Sequence, residues 1–197
     1  MSAQQATQQY FTIDEYLERE KTALVKSEYY KGEIFEMADH KPLEMAGGTP
    51  RHSEIGGNIY FAARKRLQGS SCKIFNSDLK VHIPENQFFT YPDITIACGQ
   101  REYFKDSALM NPRVIIEVLS DSTEAYDRGT KFTLYRSIPS LQEYALVSQQ
   151  EHLVEIFRRN QHGRWELYIF SNDAEVELSS VECVISMQEI YADLDEI

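Results

Sequence analysis

A glutamate inside an aliphatic run constrains this chain more than any other feature. Val114 to Leu119 reads Val-Ile-Ile-Glu-Val-Leu, short and β-branched enough to be a buried strand, with Glu117 in its middle. A carboxylate there must be paired, hydrogen-bonded or bound to a cation, because burying it alone costs several kcal/mol. The period then changes. Ser120, Ser122 and Thr123 offer helix-capping hydroxyls, Glu124 suits a first turn, and Asp127, Lys131 and Tyr135 follow at four-residue spacing. A buried acid thus ends a strand, and a lysine returns toward it from the next helix. Upstream, Tyr91-Pro92-Asp93 opens a second strand, Ile94 to Ala97, with another acid at its mouth. Two carboxylates and a lysine drawn from neighbouring elements are what metal-assisted phosphodiester hydrolysis requires.

The remaining segments frame that centre. Residues 1–10 are expected to be a flexible tail and 11–197 one domain. Thr12-Ile13-Asp14-Glu15 is a capping box opening a helix to about Val25. Residues 29–37 read as two strands around a Lys31-Gly32 turn, with Glu33 either a plain hairpin residue or turned toward the site. Glu36-Met37-Ala38 recurs as Glu44-Met45-Ala46, so 37–44 reads as a protruding insertion. A helix from about His52 to Leu67 carries an apolar stripe, and its Gly56-Gly57 pair suggests close packing. His52 lies in its first turn, where a side chain can enter a cleft or simply serve the structure. Lys73 to Pro84 alternates as one half-buried strand with Asp78 on its polar face, available as an accessory ligand. Three antiparallel strands near 144–170, a short strand at 176–178 and a helix from Met187 to Leu194 complete an α/β (α+β) order around a sheet.

Composition narrows the function classes. No apolar run reaches the length of a membrane span and the N-terminus has no signal-peptide core, which points to a cytoplasmic protein. Cys72, Cys98 and Cys183 are far apart and in no CxxC arrangement, so buried free thiols are expected rather than a zinc site or a disulfide framework. The net charge of −11 sits awkwardly with sequence-independent DNA binding, although a bound cation neutralises site acids locally. Arg64-Lys65-Arg66 and Arg158-Arg159 are the basic clusters, each also readable as a solvated helix face or hairpin rim.

Tyr91-Pro92-Asp93, Ile116-Glu117-Val118-Leu119-Ser120, Ser122-Thr123-Glu124, Tyr126-Asp127-Arg128-Gly129, Lys131, Tyr135-Arg136 and Leu141-Gln142-Glu143-Tyr144 resemble the Uma-two family. This is a bacterial group of restriction-endonuclease-like proteins in the PD-(D/E)XK nuclease superfamily. Gly32-Glu33, Met45-Ala46-Gly47-Gly48 with His52 and Asn58, and Cys72 followed by Ser77-Asp78-Leu79 extend the resemblance over about residues 11–193.

The resemblance implies a restriction-endonuclease-like fold, a mixed sheet flanked by helices. It also implies an endonuclease acting on DNA, with Asp93 and Glu117 as ligands of Mg²⁺ or Mn²⁺. The superfamily usually places its lysine two residues after the second acid, and here that position is Leu119. Lys131, on the following helix, is the matching residue, to orient the nucleophile or stabilise charge on the phosphoryl oxygens. Glu33, His52, Asp78, Asp127 and Tyr135 are accessory candidates. Taken alone, Asp127 and Lys131 would be an ordinary surface pair. A homodimer is expected, since the strands at 153–170 leave an edge to cover. The alternative is a catalytically silent nucleic-acid-binding or assembly module that keeps the fold.

Overall fold

A computed structural model describes residues 9–37 and 49–194. Most of the expected tail, and the 37–44 insertion apart from Met37, lie outside the described residues.

In chain order the elements are α1 (Ile13–Glu20), β1 (Ser27–Tyr30), β2 (Glu33–Glu36), α2 (Pro50–Arg66), β3 (Cys72–Asn76), β4 (Lys80–Ile83), β5 (Phe88–Thr90) and β6 (Ile94–Cys98). Two-residue strands β7 (Tyr103–Phe104) and β8 (Ala108–Leu109) precede β9 (Val114–Val118). A helical run, α3, joins Glu124–Tyr126, a π-type turn over Asp127–Lys131, and Phe132–Tyr135. Strands β10 (Glu143–Val147), β11 (Leu153–Arg159), β12 (Trp165–Ser171), β13 (Glu175–Leu178) and β14 (Cys183–Ser186) follow, and α4 (Met187–Ile190) closes the described chain.

The strands form two six-stranded mixed sheets and a hairpin, where the sequence suggested one sheet. The first runs β2-β1-β5-β4-β8-β7, the second β12-β11-β10-β9-β6-β3, and β13 pairs with β14. The expected long strand from Lys73 to Pro84 is broken at the Asn76–Lys80 turn. Its first half joins the second sheet and its second half the first. The chain crosses back at Tyr91-Pro92-Asp93, between β5 and β6, so Asp93 stands where it passes from one sheet to the other. Beside it β9 and β10 run parallel, joined by α3 as the crossover that parallel pairing requires.

The period of two in β9 sorts its side chains. Val114, Ile116 and Val118 pack toward the core that includes Ile55, Ile59 and Ala63 of α2. Ile115 and Leu119 pack into a second core with Leu134 and Tyr135 of α3 and with Val81 and Phe88 of the first sheet. Glu117 shares that second face by alternation. The strand is buried on both sides, which is why its sequence reads as a nearly continuous apolar run.

Several local expectations need correction. Helix α1 stops at Glu20, well before Val25. Gly56 and Gly57 face open space, so close packing does not explain them. Cys72 and Cys98 are joined in a disulfide instead of lying as free thiols. The cause is register: they are directly opposite on antiparallel β3 and β6, although 26 residues apart in sequence. Cys183 is the buried free cysteine. The Lys31-Gly32 turn is as expected, with positive φ at both residues (49° and 99°) as a two-residue hairpin demands.

Candidate active site

The register of β6 on β9 pairs Ile94 with Ile116, so one step further Asp93 faces Glu117. The two are interlocked. The Asp93 amide donates to Glu117 Oε2 at 3.2 Å, and the Val118 amide donates to Asp93 Oδ2 at 2.8 Å. His52, at the start of α2, lies 3.1 Å from the same Asp93 oxygen through Nε2. Burial pulls the His52 pKa down, but the hydrogen bond and charge of Asp93 outweigh it and leave the imidazole raised.

Glu117, 3% exposed, is held from the helix side as well. Lys131 Nζ donates to its Oε1 at 3.0 Å and the Tyr135 hydroxyl donates to the same atom at 2.9 Å. Lys131 is 6% exposed and also lies 3.1 Å from Asp127 Oδ1, which is 2% exposed as a residue. That second contact is off the hydrogen-bond axis and acts as an ion pair. The reading of Asp127 and Lys131 as a surface pair is therefore wrong; both are inside. Asp127 and Lys131 bound a π-type turn, and the Asp127 carbonyl accepts from the Tyr144 hydroxyl at 3.1 Å.

The charge balance of this cluster is uneven. Lys131 faces Glu117, Asp127 and, at 3.9 Å, Glu28. One ammonium among three carboxylates is strongly favoured in its charged form despite burial, so its pKa is raised well above the ordinary lysine value. Glu117 shifts upward as well, to about 8: burial dominates, Lys131 offsets part of it, and Asp93 and Asp127 add repulsion. The Lys131 shift follows from the surplus of acids, and the Glu117 shift follows first from burial.

Of the accessory candidates, His52, Asp127 and Tyr135 contact the centre directly. Asp78 does not: its carboxylate is largely exposed and bonds Lys26 at 2.8 Å, in the turn that separates β3 from β4. Glu33 pairs across the hairpin with Tyr30. The residues that sequence reasoning missed are Glu28, Thr90, Tyr126 and Tyr144. Glu28 had a legible signal, an acid in the strand Ser-Glu-Tyr-Tyr, but only the pairing of β1 with β5 brings it inward.

Two carboxylates of this centre keep oxygens with room for a further partner. Asp93 Oδ1 takes no hydrogen bond from the described residues, and Glu117 Oε2 takes only the Asp93 amide. Among the described residues no three His, Cys, Asp or Glu side chains are set to hold a metal ion together. Two carboxylates completed by water and a phosphate suit Mg²⁺, which usually keeps several waters and takes one or two protein carboxylates.

Fold and site together define a restriction-endonuclease-like protein. The chain belongs to the Uma2 family, described as "Putative restriction endonuclease", whose pattern matches residues 13–188. It is similar to two uncharacterized proteins of Synechocystis sp. (strain PCC 6803). One is 35% identical over 92% of this chain and 91% of its own length; the other is 33% identical over 88% and 96%. It also superposes on a crystal structure from Anabaena variabilis ATCC 29413, described as a "putative nuclease", with a TM-score of 0.69 at 20% identity. That match covers 92% of this chain and 98% of the other, and at this identity it speaks for the fold.

Proposed function

We propose that this protein is a divalent-metal-dependent endonuclease that hydrolyses DNA phosphodiester bonds, with Asp93 and Glu117 holding Mg²⁺ or Mn²⁺. The observation that carries the reading is the interlock of Asp93 with Glu117 at the sheet crossing, with Lys131 against Glu117. Mg²⁺ in such a site activates water and neutralises charge on the phosphoryl group. The chain's own groups then have distinct tasks. Asp93 and Glu117 supply oxygen ligands, His52 fixes the orientation of Asp93, and Tyr135 and the Val118 amide hold the carboxylates in place. Lys131 orients the nucleophile or stabilises transition-state charge beside Glu117. The enzyme acts as a homodimer in the cytoplasm, paired through the β12 edge.

A second reading, a catalytically silent nucleic-acid-binding or assembly module, draws support from the net charge of −11 and from Lys131 being surrounded by three acids of its own chain. Nicking of supercoiled plasmid with Mg²⁺ or Mn²⁺ separates the two. The nuclease nicks and its Asp93→Ala variant does not; the silent module leaves the plasmid intact with either cation.

A further inference from the structure

Glu28 is a buried acid at this centre without an assigned task. It stands on β1 in the first sheet, 7% exposed, whereas Asp93 and Glu117 belong to the crossing and the second sheet. Both its oxygens are engaged. Oε1 accepts from the Thr90 hydroxyl at 2.5 Å and Oε2 from the Tyr126 hydroxyl at 2.7 Å. Thr90 ends β5, three residues before Asp93, and Tyr126 immediately precedes the π-type turn that carries Asp127 and Lys131. One carboxylate therefore ties together the segment that leads to Asp93 and the segment that carries Asp127 and Lys131.

Its place around the ammonium matters too. Lys131 has three N–H directions; Glu117 Oε1 lies at 3.0 Å, Asp127 Oδ1 at 3.1 Å and Glu28 Oε1 at 3.9 Å. Two hydroxyl anchors keep Glu28 from closing the last gap, so it attracts the ammonium without displacing it from Glu117. The geometry points to Glu28 as a positioning residue that, through Thr90 and Tyr126, holds Lys131 aimed at Glu117. Its effect on rate rests on the nuclease reading; its effect on the lysine does not.

Glu28→Gln keeps the shape but removes the charge and one acceptor, and Tyr126→Phe removes one anchor while keeping the ring 5.7 Å from Lys131 Nζ. The probe is the ¹H–¹⁵N signal of the Lys131 ammonium, identified by its loss in Lys131→Arg, read beside steady-state plasmid cleavage with Mg²⁺. The expected result for Glu28→Gln is a shifted or exchange-broadened Lys131 signal and a kcat about 10- to 100-fold lower, the usual range for outer partners of a metal site, with KM little changed. Tyr126→Phe should move the signal in the same direction by less. A folded Glu28→Gln with the wild-type signal and kcat overturns the proposal and leaves Glu28 a clip between β1 and α3. If Glu28→Gln does not fold, an unmoved Lys131 signal in Tyr126→Phe overturns it alone. If the wild type cleaves nothing, the nuclease reading fails, and the lysine signal still decides for or against Glu28.

Discussion

Lys131 meets Glu117 at 3.0 Å, although the lysine comes from a helix and the acid from the strand before it, 14 residues earlier. The strand position where the superfamily usually carries its lysine is Leu119, which lies in an apolar core with Leu134 and Tyr135. Here the cation that meets Glu117 comes from the crossover helix instead. Burial makes this arrangement consequential, because neither partner has water to fall back on.

Removing the lysine should therefore cost stability as well as rate. With Lys131→Ala, Glu117, Asp127 and Glu28 lose their shared counter-charge, and breaking a buried pair in this way costs about 3–5 kcal/mol. Thermal unfolding should show a large fall in Tm, and where the variant stays folded its cleavage should drop about 100- to 1,000-fold. An unchanged Tm would contradict the buried cluster, and an unchanged rate would remove Lys131 from the mechanism.

The raised Glu117 pKa sets a pH dependence with a definite sign. Glu117 binds its proton more tightly folded than unfolded, so its contribution to stability is complete below the ordinary carboxylate pKa and is lost as pH rises toward about 8. In metal-free protein, Tm should fall across that window. A cation on Asp93 and Glu117 competes with the same proton, so Mn²⁺ affinity should rise with pH up to about 8 and binding should release protons. Calorimetry in two buffers of different ionisation enthalpy measures this directly. Affinity independent of pH, with no proton release, would contradict it.

What the sequence disclosed follows from how local each signal is. Glu117 stood out because an acid in a β-branched run has few physical explanations, and Lys131 because helical spacing aligned it with Asp127 and Tyr135. The capping box at Thr12 and the hairpin at Lys31-Gly32 are likewise written within a few residues. What could not be read depends on pairing between distant strands. Nothing near Cys72 names Cys98, nothing near Glu28 names Tyr126, and the alternation from Lys73 to Pro84 does not reveal that its two halves join different sheets.

The Cys72–Cys98 bridge gives a separate test of that long-range register. It closes a 26-residue separation, for which chain entropy implies about 3.5 kcal/mol of stabilisation. Reductant, or Cys72→Ser, should lower Tm, and thiol counting on air-exposed, denatured protein should find only Cys183. Three free thiols would show the pair unjoined. A reducing cytoplasm would keep it that way in the cell, so the same count on freshly lysed cells reports the compartment.

The β12 strand ends its sheet with Leu167, Tyr168 and Ile169 exposed, the last at 63%. An open apolar edge of seven residues is a template for pairing. Light scattering at micromolar concentration should give a dimer mass, and Ile169→Lys should shift it toward the monomer. A monomeric wild type would refute pairing through this edge.

The central claim is that Asp93 and Glu117 together make a cation site for phosphodiester hydrolysis, and plasmid nicking tests it most directly. Wild-type protein should convert supercoiled DNA to open circle with Mg²⁺ or Mn²⁺ and lose that activity with a chelator. Folded Asp93→Ala and Glu117→Gln should be inactive with either cation. Nicking that persists undiminished in both variants, or a wild type that leaves the plasmid intact with both metals, would contradict the account.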